Sequence, residues 1–286
     1  MRREGGGAAA PTDAVGERPG AAWIPAVAEE LAARAAAGAL PPISSLLVSR
    51  ARQHAEAPAG GQERVPTASA LAAAFRELAP HLGAMLRGSA RALGGKVSAP
   101  RRVLSLCTGY DAALELASLG EAFGALERYV SVDLDAEAVA LNRRLFAEVP
   151  RAQLAEAHAI RGDVRSTPWM SNLWAGQGPF DLCLVVHPPV AATAYGVPNG
   201  AWLKPDADRP VMMDLLYMKA LAVLSCPVVV ILVSGFEFSL LRAMCGALGL
   251  RPRIHERPPL VTLGRASSGA APSYADLGRY TMVLDA

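Results

Sequence analysis

Five short runs constrain what this chain can fold into: RVLSLC (102–107), RYVSVDL (128–134), the weaker AHAI (157–160), FDLCLVV (180–186) and PVVVILVS (227–234). In most of them apolar residues follow one another instead of alternating with polar ones. A strand of that kind has no face to give to water, so both faces of its sheet must be covered. Helical stretches fall between the runs: DAALELASL after the first, Asp135 to Phe146 after the second, Asp208 to Leu224 before the fifth and Phe236 to Leu248 after it. Strands alternating with helices imply an α/β, doubly wound, mostly parallel sheet. Arg253–Arg257 and Tyr280–Leu284 supply two last strands, seven in all. No helical pattern separates these two. The Gly-, Ser- and Ala-rich linker between them, Val261 to Leu277, predicts a hairpin-like excursion and an antiparallel strand at or near the end of the sheet.

Before Arg102 the pattern is helical. Trp23 to Ala37 reads as one helix closed by Gly38, and Ile43 to Ala55 as a second. Thr67 is placed to cap a third through Leu71, Phe75 and Leu78, which Pro80 is expected to kink or split. The organisation is therefore a disordered tail over residues 1–21, a small helical region over 22–95 and the α/β domain over 96–286. The tail has charge and glycine but no apolar segment of a secretory signal. No run reaches the roughly 18 apolar residues of a membrane span. The net charge of +2 argues against a nucleic-acid partner. Cys107, Cys183, Cys226 and Cys245 form no C-x-x-C pair, and they read as small buried hydrophobes in a reducing, cytoplasmic setting. The five histidines have no metal-ligand spacing, and no metal is expected.

Candidate chemistry lies at the carboxyl ends of the predicted strands, where an open α/β sheet binds ligands. After the first strand, Cys107-Thr108-Gly109-Tyr110-Asp111 forms a turn with one glycine, so a dinucleotide fingerprint is absent and Gly109 alone is an ordinary turn residue. Asp133 ends the second strand, 24 residues after Gly109, near the spacing at which a carboxylate accepts from the two hydroxyls of a ribose. Asp135 is the better cap for the following helix, which leaves Asp133 for a ligand. Asp163, after the third strand, either closes an Asx-turn or accepts from an exocyclic amine. The fourth strand delivers His187-Pro188-Pro189, a rigid corner whose carbonyls are free of sheet bonds.

Together VLSLCTGYDAALELA, VSVDLDAEAVALNRRLF, AIRGDV and FDLCLVVHPPV resemble the class I S-adenosylmethionine-dependent methyltransferases. More narrowly they are similar to the "methyltransferase small" group related to the release-factor glutamine methyltransferases, over residues 100 to 285. The resemblance implies a Rossmann-like, seven-stranded sheet and S-adenosyl-L-methionine as cofactor. It places Gly109 at the methionine part, Asp133 at the ribose hydroxyls, and Asp163 and Val164 at the adenine, with Ser105, Cys107, Asp111 and Leu134 also among the cofactor-binding residues. It puts His187, Pro188 and Pro189 where the family has an Asn-Pro-Pro-Tyr catalytic corner.

Five positions depart from the pattern. Ser105 stands where the family has Asp, Cys107 and Asp111 where it has glycines, and His187 and Val190 replace Asn and Tyr. Asp111 either repels the cofactor's carboxylate or pairs with its amino group. A neutral histidine offers at most one acceptor, which argues against glutamine or adenine amino groups as substrates. The expected reaction is methyl transfer to an oxygen or nitrogen of a small molecule or protein side chain. His187, with an ordinary pKa of ~6.5, would orient or deprotonate the acceptor. Two alternatives stand beside it: a non-catalytic, methyltransferase-like scaffold, and an aminopropyl-type transferase, which lacks its acidic corner here.

Overall fold

The structure is a computed structural model that describes residues 23–38, 45–55, 65–92, 99–164, 166–186, 228–233, 238, 241–243, 245–246, 248–262 and 276–285. Three helices come first: α1 (Ile24–Ala36), α2 (Leu46–His54) and α3 (Ala68–Ala92). Thr67 starts α3 as expected, its Oγ1 accepting from the Ala70 N–H at 3.2 Å. The helix then passes through Pro80 without splitting. The bond that Pro80 cannot donate belongs to the Arg76 carbonyl, and both residues are exposed, so water can take its place.

The α/β part follows as β1 (Arg102–Leu106), α4 (Ala112–Phe123), β2 (Leu126–Asp133), α5 (Ala136–Glu148), β3 (Leu154–Arg161), α6 (Thr167–Gln177), β4 (Leu182–Val186), β5 (Val228–Val233), β6 (Arg253–Glu256), β7 (Val261–Thr262), β8 (Asp276–Leu277) and β9 (Tyr280–Asp285). The sheet order is β3-β2-β1-β4-β5-β9-β6. The strands β3, β2, β1, β4 and β5 pair in parallel, whereas β9 runs antiparallel to both β5 and β6. The linker expected to make a hairpin-like excursion is closed at its base by the small β7–β8 ribbon.

Side-chain alternation along the central strands divides the interior in two. Val103, Tyr129, Leu182, Leu184 and Val186 face α4 and α5, and their cluster continues into α1, α2 and α3 through Leu31, Leu47 and Phe75. Leu104, Leu106, Val130, Val132, Cys183 and Val185 face the other way, against Met170 and Leu173 of α6 and against Leu241 and Cys245. The N-terminal helices thus form a further layer over one face of the sheet. Gly83 lets α3 approach α4 closely: a Cβ there would lie 2.9 Å from the Ser118 carbonyl oxygen.

Helix α6 is an element not among those expected from the sequence. Ser166 caps it, accepting from the Trp169 N–H at 3.4 Å, and Pro168 lies in its first turn. Trp174 packs edge-on to Phe180, ring centroids 5.3 Å apart, so it closes the core edge. The predicted helix 208–224, the tail, Cys226 and the corner His187-Pro188-Pro189 lie outside the described residues. Among the described residues no helix is long and apolar enough to cross a membrane.

Candidate functional site

Register decides what meets at the carboxyl edge. Leu106 pairs with Val132 and Val185, and Asp133 pairs with Arg161, so the ends of β1, β2, β3 and β4 finish nearly level. The sheet order reverses direction between β1 and β4, which makes this edge a topological switch point. Along it Cys107, Gly109, Asp133, Leu134, Gly162 and Asp163 are partly exposed, while Ser105, Thr108, Tyr110, Asp111 and Val164 are buried.

The β1–α4 turn is left-handed twice, at Cys107 (φ 56°) and Gly109 (φ 50°). Glycine takes that conformation freely, but for cysteine it is a strained one that the surroundings must enforce. They do so by gripping the turn on both sides of Gly109. The Gly109 N–H donates to Asp133 Oδ2 at 2.7 Å, and its carbonyl accepts from Asn142 Nδ2 at 3.0 Å. The other carboxylate oxygen of Asp133 accepts from the Asp135 N–H at 2.8 Å, and its own carbonyl takes the Gly162 N–H at 2.9 Å. Burial pushes the Asp133 carboxyl up from its ordinary range, against the stabilising N–H bonds of Asp135 and Gly109. Asp135 caps α5 as expected, accepting from the Glu137 and Ala138 N–H groups.

Gly162 is required by what lies over it: a Cβ there would fall 1.8 Å from the Trp169 ring. The first turn of α6 is therefore packed down on the segment between β3 and Asp163. Val164 is buried in the core on the α6 side of the sheet, directly after Asp163.

Two of the expected cofactor-side residues have partners within the protein. Asp111 does not present its carboxylate to the crevice. It reaches the N-terminus of α2, where Oδ1 accepts from Ser45 Oγ at 2.5 Å and from the Leu47 N–H at 3.1 Å, and Oδ2 accepts from the Leu46 N–H at 2.7 Å. An anion at free helix N–H groups is a favourable arrangement, and it is the residue's structural employment here. Ser105 is wholly buried and donates to Glu115 Oε2, which also accepts from the Tyr129 hydroxyl at 2.8 Å. Side-chain alternation turns Ser105 to the α4 face with Val103, away from the edge.

Sequence reasoning missed Glu115 and Asn142. Each had a signal, because each is a polar residue set among apolar ones in a helix. Burial pushes the Glu115 carboxyl up to about 8 against the Ser105 and Tyr129 hydroxyl bonds, and the Asp111 and Asp133 charges add to the rise. Glu115 is therefore a neutral acid near pH 7, and its two hydroxyl partners form a polar group inside the α4 side of the core.

No protein-family model matches the chain, and no curated protein sequence matches it. Solved structures similar in shape include the O-methyltransferase from Bacillus cereus in complex with SAH, 11% identical over 91% of each chain at a TM-score of 0.47. The O-methyltransferase TomG from Streptomyces achromogenes, solved with SAM, is 13% identical over 86% of this chain and 90% of its own at 0.40. TrmN from Thermus thermophilus is 18% identical over 74% of this chain and 52% of its own at 0.41. None of these three reaches a TM-score of 0.5, so the fold of this chain rests on its own strand order and register.

Proposed function

We propose that the chain binds S-adenosylmethionine at the β1–β2–β3 carboxyl edge and is a methyltransferase acting on an oxygen or nitrogen of a small molecule or protein side chain. One observation supports this most. Asp133 is a largely buried carboxylate with part of its surface open at the switch point, and both of its oxygens are fixed in direction by backbone N–H donors. A carboxylate has about four acceptor sites, and the Gly109, Asp135 and Leu134 N–H groups engage up to three, so the group can still accept from a ribose hydroxyl without losing its grip on Gly109. The remaining acceptor capacity of Asp133 therefore suits the ribose hydroxyls of a nucleoside cofactor. Asp163 beside it is the proposed partner of an exocyclic amine, with Gly109 and Cys107 bordering the remainder of the ligand.

When bound, S-adenosylmethionine supplies an activated methyl group on a sulfonium with a neutral leaving group. The protein's own task is then placement and exclusion of water, and placement of this kind is worth about 7–11 kcal/mol. His187, the first residue after β4, is proposed to hold or remove the acceptor's proton, with Pro188 and Pro189 stiffening the corner. Replacing His187 by Ala should cut turnover strongly and leave cofactor affinity nearly intact.

A second reading is favoured by the diversion of Ser105 and Asp111 into structural contacts. It keeps the framework as a non-catalytic binding module. Calorimetry with S-adenosylmethionine and S-adenosylhomocysteine separates the two. Micromolar binding that weakens by at least about tenfold in Asp133→Asn, the loss expected for one charge-assisted hydrogen bond, supports the enzyme reading. No heat at millimolar ligand would sink it.

A further inference from the structure

Asn142 lies in the middle of α5 and is buried, with only 1% of its surface exposed. Its neighbours one turn away on the same stripe, Ala138, Val139, Leu145 and Phe146, are all apolar core residues. A buried primary amide has two N–H donors and a carbonyl to satisfy. Here Nδ2 donates to the Gly109 carbonyl at 3.0 Å, while Oδ1 is buried with no partner among the described residues. An amide satisfied on one side only is worse for stability than an apolar side chain of the same shape. Leucine would fit the stripe and remove the orphaned Oδ1, leaving only the partly exposed Gly109 carbonyl without its donor. What asparagine adds is its single contact with the β1–α4 turn.

That contact completes a clamp. Asp133 holds the Gly109 peptide through its N–H and Asn142 holds it through its carbonyl, so the plane and direction of both flanking peptides are set from two elements, β2 and α5. The turn needs such constraint because Cys107 is left-handed two residues earlier. We propose that Asn142 is a positioning residue for the cofactor turn: it acts on ligand affinity through Gly109, at some cost to the stability of α5, and touches neither cofactor nor acceptor itself. This rests on the proposed S-adenosylmethionine site.

The test uses the full-length protein and two variants, Asn142→Leu and Asn142→Asp. For each, thermal unfolding, calorimetric affinity for S-adenosylhomocysteine and amide hydrogen exchange at residues 107–110 are measured. The expected result for Asn142→Leu is an unchanged or raised melting temperature, affinity weakened by at least about tenfold, and faster exchange in the turn with α5 unaffected. Asn142→Asp sets a second acceptor against the Gly109 carbonyl and should weaken affinity at least as much. A variant pair that binds like the wild type, or that loses protection along the whole of α5, makes Asn142 a packing residue and overturns the inference. Unfolding of both variants does the same. If the wild-type protein itself fails to bind, the proposed function falls, and this inference falls with it, which is a different outcome from wild-type binding that survives both substitutions.

Discussion

Asp111 and Asp133 stand on opposite sides of one turn and have opposite fates. Asp111 is buried, and three donors at the start of α2 converge on its two oxygens. Asp133 is partly exposed, and its two oxygens are directed by backbone N–H groups of Gly109, Asp135 and Leu134. The same residue type is thus a staple on the inner side and a rim group on the outer side. The inner side, with Glu115, Ser105 and Tyr129 beneath it, ties the N-terminal helices to the sheet. The outer side faces the crevice. What separates them is where the donors come from: the start of α2 closes over Asp111 from another layer, whereas the donors to Asp133 belong to the edge itself and leave part of it open.

If that contrast is right, inner-side substitutions should show as stability and outer-side ones as affinity. The largest effect is expected for Asp111→Ala, which strands the Ser45 hydroxyl and two N–H groups in a buried place. It should cost about 3 kcal/mol, or roughly 6–12 °C in calorimetric melting temperature. A loss below about 1 kcal/mol would break the comparison.

Next comes pH. The folded Glu115 carboxyl titrates at about 8, above its unfolded value, so between roughly pH 4.5 and 8 the unfolded chain has released a proton that the folded one retains. Stability should therefore be fullest at the acid end, fall as pH rises through that window, and level off above it. The raised Asp133 carboxyl acts in the same sense. Glu115→Gln keeps an acceptor for both hydroxyls and should flatten the fall, as read by urea unfolding at several pH values. An unchanged slope would return Glu115 to the ordinary carboxylates.

Gly162→Ala tests the outer side. The new methyl must displace the Trp169 ring, at about 1–2 kcal/mol, with a change in tryptophan emission that the inner-side variants lack. Smallest is Arg144→Ala. Its pair with Glu30 at 2.6 Å joins α5 to α1 at an exposed site, so its loss should stay within about 0.5 kcal/mol. A larger cost would mean that the N-terminal helices are held by surface charge and not by Asp111 and their apolar layer.

Much of this was legible locally. Consecutive apolar residues in LCLVV and VVVILV identify strands buried on both faces without knowledge of their partners, and the Asp135 cap of α5 follows from its position before an apolar stripe. Helix α6 was missed although Ser166 and Pro168 mark its start, because SNLWAGQ carries little apolar periodicity. Asp133 was read as a strand-end acid, and the structure places it at the edge. Asp111 was placed at the same edge by analogy of position, and its carboxylate is engaged by the start of α2.

The amino-acid order alone determined that this chain makes a parallel α/β sheet with its glycine turn and acids at the ends of strands, because strand burial and capping depend on residues within one turn or one strand. Only the tertiary structure decided which acid serves the fold. The donors that claim Asp111 come from α2, 64 to 66 residues earlier in the chain. Competition between a helix end and a ligand for one carboxylate is settled by packing of separate layers, and no local pattern records it.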